Sequence, residues 1–316
     1  MMAKRFIIIF LLFTVLAAVV FFLSASKAVY EPIRSLEKII SEQDDFTQWF
    51  KIKRTKKVKG VALVVHGLNM NPERMQSIIA ELNDAGIDVL NLSLRGHGSN
   101  FLPSNDLSDD KARLASFQTV TYRLWMNEIY TAYLKVRQRA ARKEAPVFFV
   151  GYSLGALMGC DLLLAEPDTA FDRMILFAPA LRITADSYLL KALAPFPNIV
   201  IDSLSPEYYR SNKGTPIAAY NALFEAIGHF DRTINAKLDK PTLIFIDEKD
   251  EFVPFPKLTE MIRQQNLEHW QVHFIRKDHN VGENISYHLI IDRDCVGDRM
   301  WNQMKEAIGK HLHAGP

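Results

Sequence analysis

From Gly60 onward, short apolar runs alternate with longer segments of helical periodicity. Val61–Val65, Ile87–Leu94, Val147–Val150, Met174–Phe177, Thr242–Ile246 and Trp270–Ile275 are short and rich in β-branched and aromatic residues. Most are too uniformly apolar for strands with one wet face. Helical patterns lie between them at Glu73–Ala85, Ser116–Arg142, Leu154–Ala165, Pro256–Gln265 and Asp298–His311, the first opened by Asn71-Pro72 and closed by Gly86. Strands buried on both faces need helices on both faces, and parallel neighbours need crossovers. The expected class is therefore α/β, with a doubly wound, mostly parallel sheet.

One interval breaks this rhythm. From Arg182 to Lys240 the chain carries Pro195, Pro197, Pro206 and Pro216 among short helical stretches. A segment of that length between two core strands reads as an inserted helical cap rather than a loop. The expected organisation is a first core part over 58–181, the cap over 182–240 and a second core part over 241–316. Residues 29–57 form a connector and first strands. Within it, Phe46–Gly60 alternates loosely and is dense in lysine and arginine. It reads as an exposed hairpin with a charged edge, or as a patch that meets lipid headgroups.

The N-terminus carries a different signal. After Lys4 and Arg5, Phe6 to Leu23 is 18 residues long with Thr14 as its only polar member. As a helix it would be ~27 Å long, close to the thickness of a bilayer's hydrocarbon core. The segment 1–28 is expected to be an N-terminal transmembrane helix. The basic residues would leave its start in the cytoplasm and carry the bulk of the chain to the periplasmic side. Ser24-Ala25-Ser26 and Ser26-Lys27-Ala28 supply small residues suited to cleavage, so export after signal removal is the alternative.

Composition removes other classes. Lys+Arg number 38 against 36 Asp+Glu, so the chain lacks the basic excess of a nucleic-acid binder. Two cysteines, Cys160 and Cys295, make no disulfide framework, and no zinc-ligand spacing or cofactor motif occurs.

The chemistry concentrates at Gly151-Tyr152-Ser153-Leu154-Gly155, a G-x-S-x-G set between an expected strand and an expected helix. That strand–turn–helix is what a nucleophile elbow requires. A serine hydroxyl also needs a base and a site for the developing oxyanion. His66-Gly67-Leu68 follows the first buried strand, and the backbone N–H groups of Leu68 and Leu154 are the expected oxyanion donors. His66 reads as structural. The acid is expected after the strand that follows the cap, in Asp247–Pro254. Asp250, three residues before Val253-Pro254, is the preferred carboxylate among four.

Together with Arg95-Gly96-His97-Gly98, these motifs resemble the α/β-hydrolase superfamily. The branch they most resemble is that of monoacylglycerol lipases, lysophospholipases and serine-aminopeptidase-like proteins. The resemblance spans about residues 58–313; Asp247 departs from it, standing where the family commonly has Gly. It implies a Ser-His-Asp mechanism without cofactor or metal. Two histidines compete for the base. His279 follows the last strand, 29 residues after Asp250; His288 lies 38 after it. Ser286–Asp292 resembles the histidine turn of some bacterial carboxylesterases, and Leu289-Ile290-Ile291 can anchor it, so His288 is preferred. His229, His269, His273, His311 and His313 read as surface residues.

The expected function is hydrolysis of a small-molecule or lipid ester. Apolar cap residues (Leu189, Leu190, Leu193, Phe196, Leu223, Phe224 and Ile227) suit an acyl chain. A peptidase, a thioesterase, or a membrane-anchored protein that binds without catalysis are the alternatives.

Overall fold

The computed structural model describes residues 46–53, 57–279, 281–282 and 285–313. They fall within one compact unit spanning 44–316. The apolar stretch 6–23, expected to cross a membrane, lies outside the described residues. Among those that are described, no helix is long and apolar enough to cross one.

The strands are β1 (Thr47–Phe50), β2 (Gly60–Val65), β3 (Ile87–Leu92), β4 (Val147–Tyr152), β5 (Arg173–Phe177), β6 (Val200–Asp202), β7 (Gly214–Pro216), β8 (Thr242–Asp247) and β9 (Trp270–Ile275). The helices are α1 (Gln76–Asp84), α2 (Asp109–Phe117), α3 (Tyr122–Lys143), α4 (Leu154–Ala165), α5 (Ile217–Thr233), α6 (Phe255–Gln264), α7 (Arg293–Val296) and α8 (Asp298–His313). Seven strands form one sheet in the order β1-β3-β2-β4-β5-β8-β9. All neighbours are parallel except the β1–β3 pair.

Side chains alternate along each strand and so feed two cores. Val61, Leu63 and Val65 of β2, with Val147 and Phe149 of β4, join the core that holds α3, α4 and α5. Ala62 and Val64, with Phe148, Val150 and Tyr152, join the opposite core with α1, α7 and α8. Cys160 and Cys295 are free, buried, and divided between these two faces.

Several expectations need correction. Among the described residues of 46–60, β1 pairs antiparallel with β3 along the sheet edge rather than within the segment as a hairpin. The helix expected over Ser116–Arg142 is α3, which starts only at Tyr122; α2, which ends at Phe117, was not expected. The chain breaks between them because Thr121 caps α3, its hydroxyl accepting the Leu124 N–H at 3.1 Å. The interval 182–240 contains a 3-10 segment (Ala185–Leu193) and the antiparallel β6–β7 pair before α5. Within α5, Leu223, Phe224 and Ile227 are buried in the same core as α3 and α4 rather than on the cap surface. His311 is buried rather than exposed, on the inner side of α8, and its Nε2 lies 3.0 Å from the Met174 carbonyl.

Candidate active site

The parallel strands end on one side of the sheet, and the candidate residues all follow those ends. Ser153 stands between β4 and α4 with φ 51° and ψ −113°. This is a strained conformation for a residue with a Cβ, and it lifts the hydroxyl out of the turn. Two glycines let the neighbouring backbone approach. A Cβ on Gly155 would lie 2.3 Å from the Val65 carbonyl oxygen, so only glycine lets α4 start against the end of β2. One on Gly67 would lie 2.6 Å from the Tyr152 ring and 3.2 Å from the Ser153 Cβ. The loop after β2 thus runs directly beside Ser153. Leu154 is the first residue of α4, where an N–H has no acceptor within its own helix. Leu68 follows Gly67 on the adjoining loop.

His288 Nε2 lies 2.9 Å from Ser153 Oγ, and its Nδ1 lies 2.8 Å from Asp250 Oδ2. A carboxylate accepts only, so Nδ1 carries the proton and Nε2 is free to accept from the serine hydroxyl. The other oxygen, Asp250 Oδ1, accepts the N–H groups of Phe252 and Val253, each at 2.8 Å. The imidazole sits between two rings, Tyr152 and Phe252, both with centroids 5.2 Å away. Leu289, Ile290 and Ile291 are buried directly after it. The structure therefore brings Ser153, Asp250 and His288 together; His279 is exposed in the segment after β9. Asp247 shapes the acid loop, its Oδ1 accepting the Lys249 N–H at 2.9 Å and its carbonyl the Asp250 N–H at 3.1 Å.

The loop after β2 is held by two buried histidines. Leu94 donates its N–H to His66 Nε2 at 3.1 Å, so His66 Nδ1 carries the proton and donates to the Gly67 carbonyl at 2.8 Å. Asn69 donates its N–H to His97 Nε2 at 2.9 Å. Burial lowers the pKa of His66 to about 4 and pushes that of His97 well below its ordinary value, so both stay neutral. The turn at Arg95–Asn100 is held by Glu128 of α3. Its carboxylate accepts the Arg95 N–H at 2.8 Å and the Asn100 amide at 3.0 Å. Asn69, itself at φ 53°, binds across to the insertion: its Oδ1 accepts the Asn212 N–H at 2.9 Å.

The sequence reading missed Asn69, Glu128 and Asn212. An amide or a carboxylate buried by long-range packing has no local signature. His66-Gly67-Leu68 and the R-G-H-G turn were the signals that pointed to this region. A cavity of about 600 Å³ lined by Trp49, Lys51, Arg139, Arg142 and Lys143 lies away from this chemistry. Arg142 and Lys143 precede the start of β4, whereas Ser153 follows its end.

The chain matches the serine aminopeptidase S33 family over residues 56–227, more than half its length. It belongs to that family of α/β hydrolases. No protein of curated function matches it by sequence. Among solved structures, it is similar to a soluble variant of monoglyceride lipase from Saccharomyces cerevisiae in complex with a substrate analogue. That similarity has TM-score 0.67 and 14% identity, covering 84% of this chain and 90% of that one. A structure from a study of two metagenome-derived lipolytic enzymes, LipS and LipT, gives TM-score 0.62 and 19% identity, covering 85% and 97%. The monoacylglycerol lipase of Paleococcus ferrophilus gives TM-score 0.61 and 15% identity, covering 84% and 97%. At these identities the likeness is one of fold.

Proposed function

We propose that this protein is a serine hydrolase of carboxylic esters with Ser153 as nucleophile, His288 as base and Asp250 as orienting acid. The observation that carries this reading is the relay of 2.9 Å from Ser153 Oγ to His288 Nε2 and 2.8 Å from His288 Nδ1 to Asp250 Oδ2. In this mechanism Ser153 Oγ attacks the ester carbonyl while its proton passes to His288 Nε2. Asp250 stabilises the imidazolium that results. The Leu68 and Leu154 N–H groups receive the oxyanion, each contributing on the order of 3 kcal/mol to the transition state. Collapse expels the alcohol, which takes the proton from Nε2, and leaves an acyl-serine. Water then attacks the acyl carbon, gives a proton to Nε2, and Ser153 regains it as the acid departs.

The substrate class within this reading is a lipid-like ester, a monoacylglycerol or a lysophospholipid. Support comes from the insertion, where Leu204 (90% exposed), Leu189 (75%) and Phe196 (59%) leave apolar surface open to solvent. The apolar stretch 6–23 is proposed to anchor the chain, with the hydrolase outside the cytoplasm; the alternative is release after cleavage near Ser26. A second reading, peptide hydrolysis, draws on the description of the S33 family. An aminopeptidase needs a free carboxylate for the substrate's ammonium. Glu251, beside the acid, already accepts the backbone N–H groups of Tyr287 and His288, which makes it a poorer partner for that ammonium and favours the ester.

The test is hydrolysis of p-nitrophenyl esters of graded chain length beside aminoacyl anilides, with fluorophosphonate labelling. Wild-type protein should cleave the esters and take the label, and Ser153→Ala should do neither. Folded wild-type protein that resists the probe would overturn the reading. Faster turnover of anilides than of esters would replace it with the peptidase.

A further inference from the structure

The segment that carries His288 is gripped on its backbone from two sides. Glu251 stands one residue after Asp250. Its Oε1 accepts the Tyr287 N–H at 2.8 Å and its Oε2 the His288 N–H at 3.0 Å. Lys277 follows the end of β9. Its ammonium donates to the Ser286 carbonyl at 2.6 Å and to the Leu289 carbonyl at 2.9 Å. Four consecutive residues, 286 to 289, are therefore each held at a main-chain atom by one of two opposite charges. The His288 carbonyl accepts the Tyr152 hydroxyl at 3.3 Å.

We infer that Glu251 and Lys277 are positioning residues for the reaction, a charged clamp that fixes the His288 imidazole between Ser153 and Asp250. The inference rests on the mechanism proposed above. Charge-assisted hydrogen bonds are short and strong, and a carboxylate spanning two successive N–H groups fixes orientation as well as distance. The clamp also joins the acid loop to the base loop by a route independent of the Asp250–His288 bond. If the loop shifted, the imidazole would lose its alignment with Asp250 or with Ser153. A displacement near 1 Å at such a centre costs on the order of a hundredfold in rate.

Removing the two clamp charges should also have opposite effects on the imidazole. Facing the loop are Asp247, Lys249, Asp250 and Glu251 from the acid loop, Lys277 from the β9 end, Tyr152 from β4 and Cys295 from α7. Removing the Glu251 charge withdraws stabilisation from the imidazolium, so the acid limb of the rate profile moves to lower pH. Removing the Lys277 charge moves it to higher pH. A role in packing alone predicts no such opposition.

The experiment uses the full chain in detergent micelles and compares wild type, Glu251→Gln, Glu251→Asp and Lys277→Met. It reads kcat and KM on a p-nitrophenyl ester across pH, and the downfield proton resonance of His288 Nδ1–H. Glu251→Gln and Lys277→Met should each lose about tenfold to a hundredfold in kcat with KM little changed. Their acid limbs should shift in opposite directions, the Nδ1–H resonance should broaden in both, and Glu251→Asp should restore part of the rate. Wild-type kcat, an unmoved acid limb or an undisturbed resonance in both charge-removing variants would overturn the clamp. If the wild type cleaves no ester, the mechanism fails separately, and the resonance alone still decides whether these residues hold His288.

Discussion

The two sides of Ser153 are built by different means. On the oxyanion side, the loop after β2 is fixed by neutral, fully buried imidazoles that bond only to backbone: His66 to Leu94 and Gly67, and His97 to Asn69. On the base side, the loop bearing His288 is fixed by charges, Glu251 and Lys277, that grip its main chain near the surface. A buried neutral network is rigid because every alternative leaves a polar group unsatisfied. A charged clamp near water holds instead by charge-assisted bonds to the main chain. The nucleophile and its oxyanion donors thus sit on a stiff side built from neutral groups, and the group that must carry a proton back and forth sits on a side built from charges.

The largest expected effect separates the two candidate bases. His288→Ala should lower kcat by several powers of ten, as loss of a member of such a relay does. His279→Ala should stay close to wild type, since His279 is exposed in the segment after β9. Steady-state rates on one ester decide it. A dead His279→Ala beside an active His288→Ala would place the base outside the clamp and dissolve the comparison.

This contrast also explains what could be read in the sequence. Strand β9 and helix α4 have the expected limits, because an uninterrupted apolar or periodic run encodes an element locally. The elbow at Ser153 was legible for a related reason, since a strained turn demands glycine at fixed offsets, whereas the turn at His97 was legible only through the family resemblance. Glu251 was not. In Asp247-Glu248-Lys249-Asp250-Glu251 its charge looks like any solvated acidic turn, and its partners lie 36 and 37 residues away. The later start of α3 was missed because helical periodicity continues on both sides of Thr121. The burial of α5 was missed because an apolar stripe does not say which surface covers it.

On the stiff side, His97→Ala should destabilise the fold by ~4 kcal/mol. It leaves the buried Asn69 N–H without an acceptor and opens a cavity beside Phe117, whose ring centroid is 4.6 Å away. Denaturant unfolding measures the loss. Turnover should fall as well, because the Leu68 N–H sits one residue from the freed position. A variant with wild-type stability would show that the oxyanion loop does not depend on its imidazole.

The smallest effect concerns pH, and its sign distinguishes the groups of the stiff side from one another. Burial raises the Glu128 pKa from the ordinary 4.5 to about 7, against the hydrogen bonds from Arg95 and Asn100 that favour its charge. The folded state then holds its proton more tightly than the unfolded chain between those values. Its contribution to stability is fully present below about pH 4.5 and is lost as pH rises through about 7. His66 works the other way. Burial lowers its pKa from 6.5 to about 4, so its contribution is present above about 6.5 and is lost as pH falls toward 4. Wild-type stability between these limits is a compromise in which Glu128 offsets part of the acid sensitivity of the buried imidazoles. Glu128→Gln removes that offset and keeps most of the shape. Its unfolding free energy should therefore fall more steeply on acidification than that of the wild type. The two curves should diverge by ~2 kcal/mol between about pH 7 and pH 4.5. Parallel curves over that range would mean that Glu128 is ionised in the folded protein throughout. The turn at Arg95–Asn100 would then be held by a charge, as the base loop is, and the two sides of Ser153 would be more alike than their burial indicates.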